Sequence, residues 1–389
     1  MTPAFKMAAI NGTVQNEIII NVFEGDGTVK TVITNKYIVA GSLKLTQGIC
    51  DEPELRFGGC VASSFEIDIS SQFDDLTDKY ITVYCRQTAT MPLYPSTLVY
   101  PDAHIFPGGI SYTEDIPLFS GDVYSCALAK NRLTRRLVAY DRFYSWGMRS
   151  CKSVYDGLFI GGGTVTLGAL RAAIISAFGF TEAQAVTLPA DSFVIHKMDC
   201  DELYVNDAMR MIGEINGVFM WLNGHGDIEY ITMGTSGSSS VEVYDYYIDA
   251  DADEQPVTGY DCIDTHSIGV YNMPGTDEQA SPYDLDNALV TAGYGAADSE
   301  LPKYQTAWNG IRAAVEPNFT VSYTPFELTA TARLWVQLGD RVRFIIKWYS
   351  LQETAQGEQT VQHTTTVESV ILSRRITGIE AMRDELTAQ

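Results

Sequence analysis

The sequence is short of positive charge, of paired cysteines and of long apolar runs, and each shortage excludes a class of protein. Only 26 Lys and Arg stand against 49 Asp and Glu, a formal net charge of −23. Such a surface repels phosphate backbones, so a DNA-gripping protein is excluded, although an acidic channel wall would let DNA slide past. Seven cysteines, at 50, 60, 85, 126, 151, 200 and 262, are odd in number and widely spaced, with no CxxC pair. Neither a zinc site nor a disulfide framework is expected, and reduced, mostly buried thiols are the reading. No stretch approaches the ~18 consecutive apolar residues of a membrane-crossing helix. The opening MTPAFKMAAINGT has no basic segment followed by a long apolar run, so no signal peptide is expected. The glycosylation sequons Asn11-Gly12-Thr13 and Asn318-Phe319-Thr320 then carry no meaning.

Catalytic signatures are missing as well. Gly161-Gly162-Gly163 and Gly168 precede a helix, but Ala169-Leu170 follow where a phosphate loop needs Lys and then Ser or Thr, so this is a turn. Asp249, Asp251 and Asp253 alternate like the first ligands of a calcium loop. Glu254 and Tyr260 occupy the positions where such a loop requires Gly and a bidentate Glu. The five histidines form no HExxH or HxH, and no GxSxG elbow occurs. With 49 acids, any glycosidase-like carboxylate pair is coincidental until geometry selects it. No enzyme, cofactor or metal is expected.

What is present is apolar content of 46% and 22 tyrosines in 389 residues, enough for a sizeable core in two to four domains rich in sheet. Strand candidates in the all-β region 1–110 are Ile18–Phe23, Thr31–Val39, Ser64–Ile69 and Tyr80–Cys85, with a turn at Glu24–Gly27. Leu55–Gly59 is expected to be a strand and tight turn, with Gly58 and Gly59 permitting close backbone approach. Thr134–Tyr144 continues a sheet and turns. Leu167–Phe178 is an amphipathic helix capped by Gly179. A second helix, within 202–216, sets Ala208, Met211, Ile212 and Ile215 on one face and stops at Gly217. A hairpin follows, Val218–Leu222 and Asp227–Ile231 around Asn223-Gly224-His225-Gly226. GTSGSSS at 234–240 reads as a flexible joint. Further strand candidates are Val241–Ile248, Val257–Val270, Phe319–Tyr323, Arg333–Gln337, Arg341–Trp348 and His363–Ile376. Gln352–Gln359 is a hairpin tip and Ile379–Ala388 a short exposed helix or tail. The fold class is mixed α+β and β-rich, built as small domains in series. The expected boundaries are 1–110, 111–240, 241–350 and 351–389.

Three stretches carry a family resemblance: residues 41–69, GSLKLTQGICDEPELRFGGCVASSFEIDI; residues 201–231, the helix and hairpin; and residues 369–386, SVILSRRITGIEAMRDEL. In order and spacing they resemble prophage tail proteins of Gram-positive bacteria, the family of the phage baseplate hub or tail-associated structural protein, related to the central hub of contractile tails. The resemblance implies two tail-tube-like β-barrels (in the first and third domains) with helix-containing accessory domains. It implies a homotrimeric ring closing the tail tube at its cell-facing end. The implied partners are the distal tail protein, the tape measure protein and a tail fibre or receptor-binding protein. Genomic DNA would pass through the lumen without specific binding. The implied location is the virion tail tip, assembled in the bacterial cytoplasm. The last stretch nearly reaches Gln389, so a minimal hub is expected, with lytic or adhesive functions on other chains. Arg56, Gly58 and Gly59 are the candidate interface residues, Arg56 pairing with an acidic neighbour across a subunit seam, since interfaces enrich Arg. Readings from other classes are a tail-tip cell-wall hydrolase and a saccharide-binding adhesin using a ring such as Trp146 or Trp308.

Overall fold

A computed structural model describes residues 1–50, 56–92, 109–233, 242–244, 249–250, 255–257, 260–261, 283–284, 287–292, 310–311, 313–319, 321–323, 326–354 and 357–388. The class is mixed α+β and β-rich. A helix, α1 (Pro3–Asn11), precedes seven strands: β1 (Thr13–Phe23), β2 (Val29–Thr34), β3 (Lys44–Gly48), β4 (Ser64–Ser70), β5 (Tyr80–Pro92), β6 (Gly109–Leu128) and β7 (Thr134–Tyr140). Four helices follow: α2 (Arg142–Trp146), α3 (Lys152–Leu158), α4 (Leu167–Phe178) and α5 (Val205–Asn216).

One eleven-stranded sheet dominates. Its order is Asp249–Ala250, Phe326–Thr331, Arg383–Ala388, Ser373–Thr377, then β3, β4, β7, β6, β5, β1 and β2. Both ends of the chain thus share one sheet. The strands alternate as their sequences do: in β4, Phe65, Ile67 and Ile69 face the core, and Ser64, Glu66, Asp68 and Ser70 do not. The β5–β6 pairing runs from Pro92↔Gly109 to Tyr80↔Asp122, so the two long strands form one continuous ladder. A second core gathers α2 to α5 with the hairpin Phe219–Leu222 and Ile228–Ile231 and the strand Phe326–Thr331.

The two expected helices form. Gly179 (φ +69°) and Gly217 (φ +62°) end α4 and α5 in the left-handed conformation that an added Cβ disfavours. The glycine run at 161–163 is a turn with nothing packed on it. The hairpin Arg341–Thr354 with Gly357–Val370 turns where the polar tip was expected.

Five expectations need correction. Residues 1–11 are not β: Thr2 caps α1 by accepting the Phe5 N–H, Pro3 takes the first helical position, and Phe5 and Ala8 bury one face. Strand β2 stops at Thr34, where a 3-10 turn over Asn35–Tyr37 takes over. Of the strand and tight turn expected over Leu55–Gly59, the turn forms at Phe57-Gly58, Arg56 is not in a strand, and Leu55 lies outside the described residues. Residues 333–337 form turns, because the carbonyls of Arg333 and Val336 accept from the Arg374 guanidinium and not from a neighbouring strand. Arg383–Ala388 is a strand and not an exposed helix; its charges mislead, since Asp384 faces inward onto Arg374, and Leu386 is buried beside it. The calls on 234–240, on Asp251 and Asp253, on Val257–Val270 beyond its first strand residues, on Cys262 and on Trp308 lie outside the described residues.

The sheet is joined to the helices through Asp141, 3% exposed, which caps α2. Its carboxylate accepts the Phe143 N–H at 3.0 Å and the Ser63 N–H at 2.7 Å. Burial raises its pKa from 3.8 to about 7 despite these donors. A folded pKa above the unfolded one means the folded state holds the proton across that window. The Asp141 contribution is therefore full below 3.8, is lost as pH rises toward about 7, and is constant above. Wild-type stability minus that of Asp141→Asn is expected to fall over that range in urea melts; a flat difference would refute the assignment.

Candidate functional site

The three stretches that carry the family resemblance converge on one joint. Strand β3, from the first, pairs antiparallel with Ser373–Thr377, from the third, in the register Ser373↔Gly48 to Thr377↔Lys44. The ladder is extended by the Ile49 N–H, which donates to the Leu372 carbonyl at 2.9 Å. The second stretch enters at Gly58 and Gly59. The Gly58 N–H donates to the Val218 carbonyl at 2.9 Å, and the Met220 N–H donates to the Gly59 carbonyl at 3.0 Å. A Cβ on Gly59 would lie 2.1 Å from the Ile49 carbonyl oxygen, so sheet and hairpin touch at that backbone.

The expected close approach is thus made within the chain, onto α5. Gly58 takes φ +82°, and a Cβ there would sit 2.1 Å from the Arg210 carbonyl oxygen. Gly213, on the facing side of α5, is also too tight for a side chain: its Cβ would come within 2.9 Å of the Gly58 Cα. Between the two glycines no side chain fits. Phe57 drives into the core beside them, with ring centroids 5.0 Å from Phe219 and 4.9 Å from Phe319.

Arg56 finds its acidic neighbour in its own chain. Its Nε lies 3.6 Å from Glu214, whose side chain is 4% exposed. Asn287 donates to the same carboxylate at 2.9 Å and to the Met211 carbonyl. Two residues on, Asn216 is fully buried and uses both ends: it accepts the Ala190 N–H at 2.7 Å and donates to the Ile212 carbonyl at 2.8 Å. A buried Glu and Asn are tolerated only with such partners.

Two buried arginines fasten the joint's flanks. Arg171 of α4 donates to Glu182, Asp191, the Val186 carbonyl and the Tyr230 hydroxyl, tying α4 to the hairpin. Arg374 forms a bidentate pair with Asp384 and reaches the Arg333 and Val336 carbonyls. Sequence spacing did not find Glu214, Asn216, Arg171 or Arg374, because their partners come from remote segments. The helical spacing Met209 to Gly213 to Asn216 on α5, all three buried, was the available signal.

Chemically the joint holds groups still. Elsewhere, burial pushes the Cys85 thiol up to about 12 and Cys151 to about 11, so neither is a thiolate at neutral pH. Trp146, named as a possible sugar platform, is fully buried against Phe143 and Phe180. Among the described residues no cluster of His, Cys, Asp and Glu could hold a metal ion.

No family model and no curated protein matches the chain. Among solved structures, the 43 kDa tail protein of prophage MuSo2 from Shewanella oneidensis aligns with a TM-score of 0.50 at 10% identity, covering 96% of this chain and 97% of that one. The tail protein from Neisseria meningitidis MC58 aligns with a TM-score of 0.47 at 12% identity, covering 96% of each. At such identity the MuSo2 likeness is one of fold, along nearly the whole chain.

Gly58→Ala is expected to cost about 2–4 kcal/mol, from left-handed strain plus collision with α5. Gly161→Ala, at φ +98° in open space, should cost only about 1 kcal/mol. Equal shifts of the two urea midpoints would show that the Gly58 crossing is not tight.

Proposed function

We propose that this chain is a structural component of a phage tail, and within the tail its hub. The observation that carries the reading is the fold shared with the MuSo2 tail protein over 96% of the chain. The resemblance of the three stretches supports the finer assignment, and their convergence on one joint gives it a physical sense. A part that transmits load between a tube and a tip needs its distant segments locked together, and close-packed backbone contact at glycines transmits strain with no side chain in between to give.

In this reading three copies form a ring that closes the tail tube at its cell-facing end, with barrels like those of the tube subunits. The ring contacts the distal tail protein, the tape measure protein and a tail fibre or receptor-binding protein, and it opens to pass genomic DNA. The charge of −23 suits a lumen that DNA traverses without sticking. The protein resides in the virion after assembly in the bacterial cytoplasm. Its role is structural, with no chemistry of its own. Gly58 and Gly59 are buried in the joint and shape the seam indirectly, whereas Arg56, 41% exposed at its side chain, retains an outward edge for a neighbouring copy.

Light scattering on a sizing column and negative-stain images of the purified protein at micromolar concentration should show trimeric rings; a strict monomer sinks the hub reading. Arg56→Glu should weaken the trimer. Because Arg56 also faces Glu214, its melting temperature is recorded alongside, and an unchanged trimer removes Arg56 from the seam.

A further inference from the structure

Strand β1 is paired with β5 along its whole length, Thr13–Phe23, but with β2 only from Ile19 onward. The cause is local: β2 ends at Thr34, and the 3-10 turn over Asn35–Tyr37 leads the chain away. Asn35 marks where the ladder stops. Its side chain accepts the Ile18 N–H at 2.7 Å and donates to the Asn16 carbonyl at 2.9 Å, in place of a further β2 residue. In an antiparallel strand the N–H and C=O of one residue point to the same side, and the side alternates along the chain. Even-numbered residues of β1 therefore turn away from β5. Before Asn35 is reached, the Val14 N–H, the Val14 C=O and the Asn16 N–H meet no partner among the described residues. Both residues are part-exposed, and Gly12, Val14 and Asn16 line one wall of an open cleft of about 440 Å³.

We infer that this edge takes an added strand, an extended acidic segment of a partner protein. Sheet edges are usually guarded by charge, proline, a bulge or a cover. Thr13–Asn16 has neither a charge nor a proline, and its ladder to β5 has no bulge. Unpaired N–H and C=O groups at strand spacing are matched by another backbone, the main-chain mode of peptide recognition. The cleft gives the side chains of an added strand two environments. Val14 packs against the cluster of Phe5, Ala8 and Ala89 beneath α1. Side chains on that face would meet Ile10, Ala332 and Trp335 in the cleft, whereas alternate ones would lie beside exposed Thr13 and Gln15. Charge selects further. Lys6 lies over the Trp335 ring, 5.8 Å from its centroid, and Arg333 lines the cleft, against one acid among the lining residues, Glu380. In a chain of net charge −23 that is a local reversal of sign, complementary to carboxylates. This interaction goes beyond the structural role and does not depend on the trimer.

The test selects displayed peptides of about ten residues, enough for one strand, on the full chain. The best binder is synthesised and titrated by calorimetry against wild type and Val14→Pro. Proline removes the Val14 N–H and blocks the edge, while the bonds from odd-numbered residues to β5 remain, so the melting temperature should stay close to that of wild type. Wild type should select alternating sequences bearing Asp or Glu, whose affinity falls with salt. Val14→Pro should bind at least about tenfold more weakly. Should that variant not fold, residue-resolved hydrogen exchange on wild type decides. Bound peptide should protect the Val14 and Asn16 amides and leave that of Gln15, already bonded to β5, unchanged. No binder, a lysine- or arginine-rich binder, a binder that Val14→Pro retains, or unprotected Val14 and Asn16 amides each overturn the proposal. So does a smaller assembly for Val14→Pro than for wild type without peptide, which would put a second copy on the edge.

Discussion

The backbone crossing of Gly58 over Gly213 is the constraint on which the rest of the architecture depends. At that point the segment between β3 and β4 lies directly on α5, at a distance that excludes even one methyl group. The contact sets where Phe57 enters the core, and Phe57 in turn brings Phe219 and Phe319 together from segments a hundred residues apart in sequence. It also places the buried carboxylate of Glu214 where Arg56 and Asn287 reach it. A larger residue at either glycine would force helix and segment apart, and no local adjustment of the hairpin would restore both hydrogen bonds to Val218 and Met220.

Around that crossing the molecule spends its buried charge on fastening. Arg171 and Arg374 each donate to carboxylates and carbonyls, and each ties elements distant in sequence. Buried ion pairs are poor sources of net stability, since desolvation offsets much of their attraction. Their value lies in selecting one arrangement, because a misaligned neighbour would leave a buried guanidinium unpaired. That geometric stringency suits a part whose proposed role is to hold a tube closed and then let it open.

Much of this was legible where a local rule acts alone. The helices Leu167–Phe178 and 205–216 follow from apolar periodicity and a glycine able to take positive φ, and both end where those rules say. The alternation in Ser64–Ser70 reads directly as a strand with one buried face. Local rules failed where a remote partner overrode them. Residues 333–337 have strand-like side chains, yet Arg374 takes their carbonyls. The charges of Arg383–Ala388 suggested exposure, yet Asp384 is buried because its counterion lies across the ladder. At the joint, Gly58 and Gly59 announced a close approach by composition alone, while the surface they approach was invisible from sequence.

The sequence by itself determined the class: β-rich, acidic, without paired cysteines, with two capped helices and a hairpin, because periodicity, charge and glycine geometry act over a few neighbouring residues. Only the tertiary structure decided that strands from both ends of the chain share one sheet. The same holds for the meeting of three distant stretches at Ile49–Gly59, and for Glu214 as the partner of Arg56. Those outcomes depend on which backbone groups find each other across hundreds of residues. Such pairings are chosen by the packing of the whole core and leave no local period to read.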